Sequence, residues 1–461
     1  MNTPVLGTGR TYYINASRGS DKHDGKSTKH AWRTFSQFLR IKPTGPVTVV
    51  LETPIHLTAP VILDHISGLT IQSASTSPIT IHAGGMNAFA LNNCSKIVIR
   101  GLKVNGSGRL TSDGAGITLT NSKDVLLHQI EASGFRNGGL VIDGGADIRM
   151  DSCISHGNGS AGITSYQRLA KAWATNVTLR DCTVHNNAGD PKNLTNHSGN
   201  GIVIGQVDKC LIERCIAYNN GWAMPRDGNG PVGIWAWSAS RITIRHCISH
   251  DNKSPGLDGG GFDFDGGVVD SIMESNISYN NDGSGYLMCQ YPGASDWRNN
   301  TLRNNICFMD GRKNNHAGIV WYIPDGMHNM HTSIVRNNTI INDRHAIATQ
   351  GDIPNVRYER NVFIAGNDPF AIPDQNGGYS KSTFTDNTLS GQTLDDNDLA
   401  TYLRRAVGTK AMTGLERYDA GITVTTELLP KTIRDLMSFH LDTASPKAGT
   451  QNRGAFTRSL K

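Results

Sequence analysis

GIWAWSASRITIRHCISHDN (233–252) holds two short alternating runs, Gly-Ile-Trp-Ala-Trp and Ile-Thr-Ile-Arg-His, separated by small residues and closed by Asp-Asn. Alternation with a period of two sends neighbouring side chains to opposite faces of a strand, whereas a helix would group them every third or fourth position. Each run is strand-length and is bounded by turn formers. The first run recurs as GITLT (116–120), GLVID (139–143), GITSY (162–166), GIVIG (201–205), GFDFD (261–265), GYLMC (285–289) and GIVWY (318–322). Taken in chain order with GIWAW, the eight starting glycines are 23, 23, 39, 32, 28, 24 and 33 residues apart. A spacing near two dozen, lengthened where loops are inserted, is that of a solenoid.

The second run recurs too, in VTLRDCTVHNN (177–187), LIERCIAYNN (211–220) and IMESNISYNN (272–281). Superposing these runs stacks Cys153, Cys182, Cys215 and Cys247 in one column, with Asn276 in the next place. A free Cys packs as a small hydrophobe, so the column reads as an inward ladder. Asn187, Asn220, Asn252 and Asn281, at the ends of the runs, read as turn residues. Eight cysteines without a CxxC pair point away from a zinc module or a disulfide framework.

The expected fold is therefore all-β: a right-handed parallel β-helix, a single-stranded solenoid, over residues 46–390. Residues 1–45 would form an N-terminal cap. Residues 391–461 would form a C-terminal capping segment, extended in part, with short helices in LDDNDLATYLRRAV (394–407) and ELLPKTIRDLMSF (427–439). Fifty-one glycines against 17 prolines suit many short strands and tight turns. The net charge of +5 is scattered rather than gathered into runs, which argues against a nucleic-acid face. No stretch approaches the ~18 apolar residues of a membrane span, and the opening MNTPVLGTGR lacks the pattern of a signal peptide.

In a glycine strand the first and third residues after Gly should point inward and the second and fourth outward. The outward column then contains Trp235 and Trp237, followed one coil later by Asp263 and Asp265. Two acids inside an otherwise apolar strand are poorly explained as turn formers. Asp258 and Asp282, each beside Gly, are explained that way more easily. Residues two apart on one strand stand about 6.5–7 Å apart and coils stack at about 4.8 Å. Asp263, Asp265 and Asp282 can therefore span the roughly 6.5–9.5 Å between the acid and the base of an inverting glycosidase. Asp265 is provisionally the acid, with Asp263 and Asp282 on the water-activating side.

Around these acids, Trp235 and Trp237 could offer flat faces to sugar rings, with Tyr286, Gln290, Tyr291 and Tyr322 as weaker contacts. Arg312, Lys313 and His316, in DGRKNNHAG (310–318), could bind a uronate carboxylate, His316 also relaying a proton. The insertions at 188–200 and 222–231 are candidate groove walls.

The opening YYINASRGSDKHDGKSTKHAWRTF (12–35) and the closing TASPKAGTQNRGAF (443–456) resemble the two ends of secreted β-helix carbohydrate enzymes of the pectin-lyase-like superfamily. That group holds hydrolases, lyases, epimerases and depolymerases, so the resemblance implies a polysaccharide or oligosaccharide substrate and a secreted or periplasmic location. The arrangement of Asp263, Asp265, Asp282 and His316 is similar to that of polygalacturonase-type glycoside hydrolases, with Arg344 about where a basic subsite residue would follow. Asn281 stands where that family has a second adjacent acid, and Asn315-His316-Ala317 replaces its Gly-His-Gly. The expected activity is hydrolysis, with no metal required. The alternatives are a uronate lyase, in which Ca²⁺ or another cation would neutralise the uronate and Lys253, Arg312, Lys313, His316 and Arg344 are candidates for the base, and non-catalytic glycan binding.

Overall fold

The computed structural model describes residues 9–391, apart from 42–44, 167, 171, 315–316, 325, 328, 352–354, 367–369, 372–378 and 380. The expected helices at 394–407 and 427–439, and all but the first residue of the expected C-terminal cap, lie outside the described residues. The chain divides into two compact units, one of residues up to 211 with 215–231, the other of 212–214 with the residues from 232 onward. Each is a stack of parallel strands, as the repeat requires.

In the first unit the glycine strands align Ile117, Leu140, Ile163 and Ile202 in a column of zero exposure. A second ladder aligns Ile97, Val125, Ile148 and Val177. Burying such columns at about 25 cal/mol per Å² of apolar surface is the main driving force for stacking. The ladder begins inside the segment assigned to the cap, because Arg10–Ile14 pairs in parallel with Val47–Leu51. The Gly-Ser-Asp turn that follows is tied by Asp21, whose carboxylate accepts bonds from the Arg33 and Thr34 amides and the Thr34 hydroxyl. The returning Trp32 then stacks on Tyr12 at 4.7 Å.

The asparagines read as plain turn residues do more than turn the chain. Asn187 and Asn220 are buried, and the Asn158 amide donates to the Asn187 side-chain oxygen at 3.1 Å as Asn187 does to Asn220 at 2.9 Å. In the second unit Asn252 donates to Asn281 at 2.9 Å, and Asn281 to the carboxylate of Asp310 at 2.7 Å. An inward turn amide is stable because each rung satisfies the next.

The same ladders explain the strand-opening glycines. A Cβ on Gly233 would lie 2.0 Å from the Ser249 hydroxyl, and one on Gly261 2.1 Å from that of Ser278. The Ser249 hydroxyl needs that space because it donates to the Gly261 carbonyl at 2.7 Å. The cysteine column is inward: Cys153, Cys182, Cys215 and Cys247 have zero exposure, and the Cys182 thiol donates to backbone carbonyls. In the second unit the column continues as Asn276, Asn305, Asn338, Asn361 and Asn387, each amide donating to the next. All eight cysteines are free. Among the described residues no helix is long and apolar enough to cross a membrane.

Candidate active site

In the second unit the strands Val232–Trp237, Gly260–Phe264, Tyr286–Cys289, Ala317–Ile323 and His345–Gly351 carry the candidate residues. Their inward column runs Ile234, Phe262, Tyr286, Ile319, Ile347. Their outward column runs Trp235, Asp263, Leu287, Val320, Ala348. Thus Phe262 and Phe264 fill the core while Asp263 takes the outward place between them, and Asp265 follows directly after the strand.

Asp263 is only 3% exposed, and its Oδ1 has no hydrogen-bond partner among the described residues. A buried, unpaired carboxylate is costly when ionised, so burial pushes its pKa well above the usual range. The charges of Asp265 and then Asp258 push it further. Asp265 is partly exposed, and its Oδ1 accepts the Gly266 amide at 2.7 Å. Burial raises its pKa to about 6, against the pull of hydrogen bonds from the Cys289 thiol and the Gly266 amide. Burial thus disfavours ionisation of both acids.

Cys289 and Tyr291 complete the surroundings. Burial and the neighbouring carboxylates hold the Cys289 thiol protonated, since its pKa is pushed well up, and they push the Tyr291 phenol to about 12. Tyr291 comes this close because Gly266 has no side chain: a Cβ there would lie 2.4 Å from the ring.

Several expected contacts are placed elsewhere. Asp282 is not among the charges acting on Asp263; Asp258 holds that place. The Asp282 carboxylate instead accepts the Ser254 amide at 3.2 Å, and its carbonyl accepts the amides of Lys313 and Asn314. It joins two loops because it lies in the turn before its strand. Tyr286 points inward, stacked on Phe262 at 5.3 Å with its hydroxyl beside the carbonyls of Asn276 and Ile306, so it cannot meet a ligand in the groove. Gln290 has zero exposure and donates to the Ser295 carbonyl at 2.9 Å. Trp235 does belong to the outward column and is buried, 3% exposed, as is Asp263 beside it in the register. Trp237 is partly exposed and Tyr322 is 40% exposed, Tyr322 lying across from Cys289 in the register.

The Lys313 ammonium donates to the carbonyls of Ser254 and Pro255, both at 2.7 Å. Arg312 and Arg344 are exposed, and His316 lies outside the described residues. The 188–200 insertion belongs to the first unit, where Lys192 pairs with Asp113 at 3.0 Å. Among the described residues no three His, Cys, Asp or Glu side chains are gathered to hold a metal ion.

Asp258 was missed as a member of the cluster because Asp-Gly is also a turn signal, and its φ of 58° shows that it does serve a turn. The outward position of Cys289 followed from strand parity, but parity carried no sign of its bond to Asp265.

Solved structures share this architecture at low identity. The lacto-N-biosidase of glycoside hydrolase family 136 from Eubacterium ramulus is 14% identical, with a TM-score of 0.57 over 83% of this chain and 68% of that one. Pectate lyase Pel9A is 14% identical, with a TM-score of 0.51 over 98% of both chains. The A-module of the Azotobacter vinelandii mannuronan C-5 epimerase AlgE4 is 13% identical, with a TM-score of 0.52 over 75% of this chain and 87% of that one. No curated protein matches the chain in sequence. Residues 61–200 and 190–323, together more than half of the chain, match the family described as the right handed beta helix region, and the protein belongs to that family.

Proposed function

We propose that this protein is a carbohydrate-active enzyme that hydrolyses a glycosidic bond with Asp263 as proton donor and Asp265 as base. The observation that carries the proposal is the pair itself, two neighbouring carboxyls of which Asp263 is buried, its Oδ1 without a partner among the described residues, while Asp265 is partly exposed and accepts the Gly266 amide. Above about pH 6 Asp265 is ionised while Asp263 keeps its proton. Asp263 gives that proton to the glycosidic oxygen as the C–O bond breaks. Asp265 takes a proton from the water whose oxygen bonds to the anomeric carbon. This reverses the order expected from sequence, because burial falls more heavily on Asp263. Trp237 and Tyr322, the outward aromatics that retain exposure, are the proposed sugar contacts.

The carbohydrate-acting enzymes among the similar structures agree with a glycan substrate. A polysaccharide is met outside the cytoplasm, so the reading carries a secreted or periplasmic location with it. Lyase chemistry, which needs a base close to the C5 proton, is less well supported: among the described residues the side chains acting on the acid pair are carboxyls and a thiol, and the Lys313 ammonium is held by two carbonyls.

The test is turnover of a glycan panel by the full chain and by Asp263→Asn and Asp265→Asn. General acid and base groups each contribute about 10²–10⁴-fold, so each variant should lose at least about a hundredfold in kcat while the wild type releases saturated reducing ends. An unsaturated product absorbing in the ultraviolet, or a variant of undiminished rate, would contradict the proposal. Chelation of divalent cations should leave the rate unchanged. Loss of activity on chelation with recovery in Ca²⁺ would instead favour the lyase.

A further inference from the structure

We infer that Trp297 is a positioning residue for the proposed reaction: its indole N–H holds the peptide that carries Asp265 and so sets where that carboxyl stands relative to Asp263. The inference deepens the hydrolase reading and rests on it for the part that Asp265 plays. The strand Gly260–Phe264 ends one residue before Asp265, which opens a turn. The Asp265 amide still donates to the Ala236 carbonyl at 2.8 Å, while its carbonyl accepts the Val268 amide at 3.3 Å. At the peptide joining Phe264 to Asp265, the Trp297 Nε1 donates to the Phe264 carbonyl at 3.1 Å. An indole has one donor and no acceptor, and at 1% exposure this one is committed to that carbonyl. Trp297 is itself anchored by its backbone, its amide donating to the Asn329 carbonyl and its carbonyl accepting the His331 amide, each at 2.8 Å.

The residues before Trp297 lie across the same turn. A Cβ on Gly266 would stand 2.4 Å from the Tyr291 ring and 2.7 Å from the Ala294 methyl, and one on Gly267 2.5 Å from the Ser295 hydroxyl. Gln290 ties this strap down by donating to the Ser295 carbonyl at 2.9 Å, and Asn329 by donating to the Ala294 carbonyl at 3.0 Å. Residues 290–297 are thus pinned over the turn that presents Asp265, and Trp297 is the member that bonds to the end of the strand. Acid–base work at one glycosidic bond needs both carboxyls held to within about 0.5 Å, and a misplacement of about 1 Å can cost about a hundredfold in rate. A tryptophan that only filled the core would have no use for its N–H there.

The experiment compares three variants of the full chain with the wild type. Trp297→Phe keeps an aromatic ring and loses the donor. Trp321→Phe removes an equally buried indole that meets Trp297 edge-on at 5.9 Å. Gly266→Ala adds a methyl that would push the strap outward. One readout is kcat and KM for release of saturated reducing ends from the glycan panel. The other is the rate of iodoacetamide alkylation at Cys289, followed by mass spectrometry. Cys289 is partly exposed whereas the other cysteines are buried, and its thiol bonds to Asp265, so it reports a displaced carboxyl without any turnover. Trp297→Phe should lose about tenfold or more in kcat with KM within about twofold, and its Cys289 should react at least about threefold faster. Gly266→Ala should move kcat and alkylation the same way, and Trp321→Phe should stay within about twofold of the wild type in both. If Trp297→Phe unfolds, which alkylation of the buried cysteines would reveal, Gly266→Ala decides. Wild-type values in Trp297→Phe and Gly266→Ala, or equal changes in Trp321→Phe, would overturn the positioning role and leave the hydrolase reading standing. A wild type that releases no reducing ends would overturn the hydrolase reading, and the alkylation rates would then decide whether Trp297 holds Asp265 in place.

Discussion

At the scale of single residues, the site depends on which side chain is deprived of solvent and which is compensated. Asp263 and Asp265 are two residues apart, yet Asp265 has the Gly266 amide at 2.7 Å and the Cys289 thiol, whereas Asp263 Oδ1 has no partner among the described residues. Cys289 is thus a positioning residue that acts through Asp265. Cys289→Ala should shift the acid limb of kcat/KM above about 6, because the ionised form of Asp265 loses a donor, and Cys289→Ser should restore it. An acid limb that stays in place in Cys289→Ala would remove the thiol from this role. Strand parity was enough to read the outward direction of Asp263 from GFDFD, and the same rule places Tyr286 inside. It gives no information about what covers an outward side chain, which is why Trp235 is outward and buried at once.

At the scale of elements, the repeating unit is a glycine strand fitted against the Ser-x-x-Asn turn of the preceding strand. Ser249 with Asn252 and Ser278 with Asn281 make the pattern, and Cys307 with Asp310 replaces it at the next rung. The Asp310 carboxylate accepts from Asn281 at 2.7 Å and from the Cys307 thiol at 3.0 Å, and burial raises its pKa to about 6. Its ordinary unfolded value is about 3.9, so the folded state holds the proton more tightly. The stabilisation from that proton is complete below the unfolded value and is lost as pH rises through about 6, up to about 3 kcal/mol for a shift of this size. Asp310→Asn, which restores the side chain of the other rungs, should therefore gain stability over the wild type as pH goes from 4 to 7 in chemical denaturation. A stability difference independent of pH would show that Asp310 titrates normally. The ladder was only half legible, since an Asn at a turn looks the same whether its amide faces water or the next rung. Cys153, Cys182, Cys215 and Cys247 were clearer, because a recurring small apolar side chain has few places to go but inward.

At the scale of the whole chain, the spacing of eight glycine strands made the parallel solenoid legible before any geometry. A period near two dozen with a strict alternation leaves little else that could bury those residues. The site was legible in location and less so in membership. Asp263 and Asp265 stood out because acids are anomalous within an apolar strand. Asp258 and Asp282 were ambiguous because both sit beside glycine in turns, and only their surroundings separate the one that acts on Asp263 from the one that joins two loops. Sequence spacing also suggested a basic cluster, of which the Lys313 ammonium donates to the Ser254 and Pro255 carbonyls. The proposed reaction is argued from the surroundings of that small patch rather than from the fold, which serves several chemistries.

The most direct measurement is the pH dependence of kcat/KM for glycan hydrolysis by the wild type and Asp263→Asn. The wild type should rise through about pH 6 as Asp265 ionises and fall at higher pH as Asp263 gives up its proton, and the residual activity of Asp263→Asn should keep the rise and lose the fall. A wild-type profile whose acid limb lies near pH 4, or an alkaline limb that persists in Asp263→Asn, would contradict the assignment of the two acids.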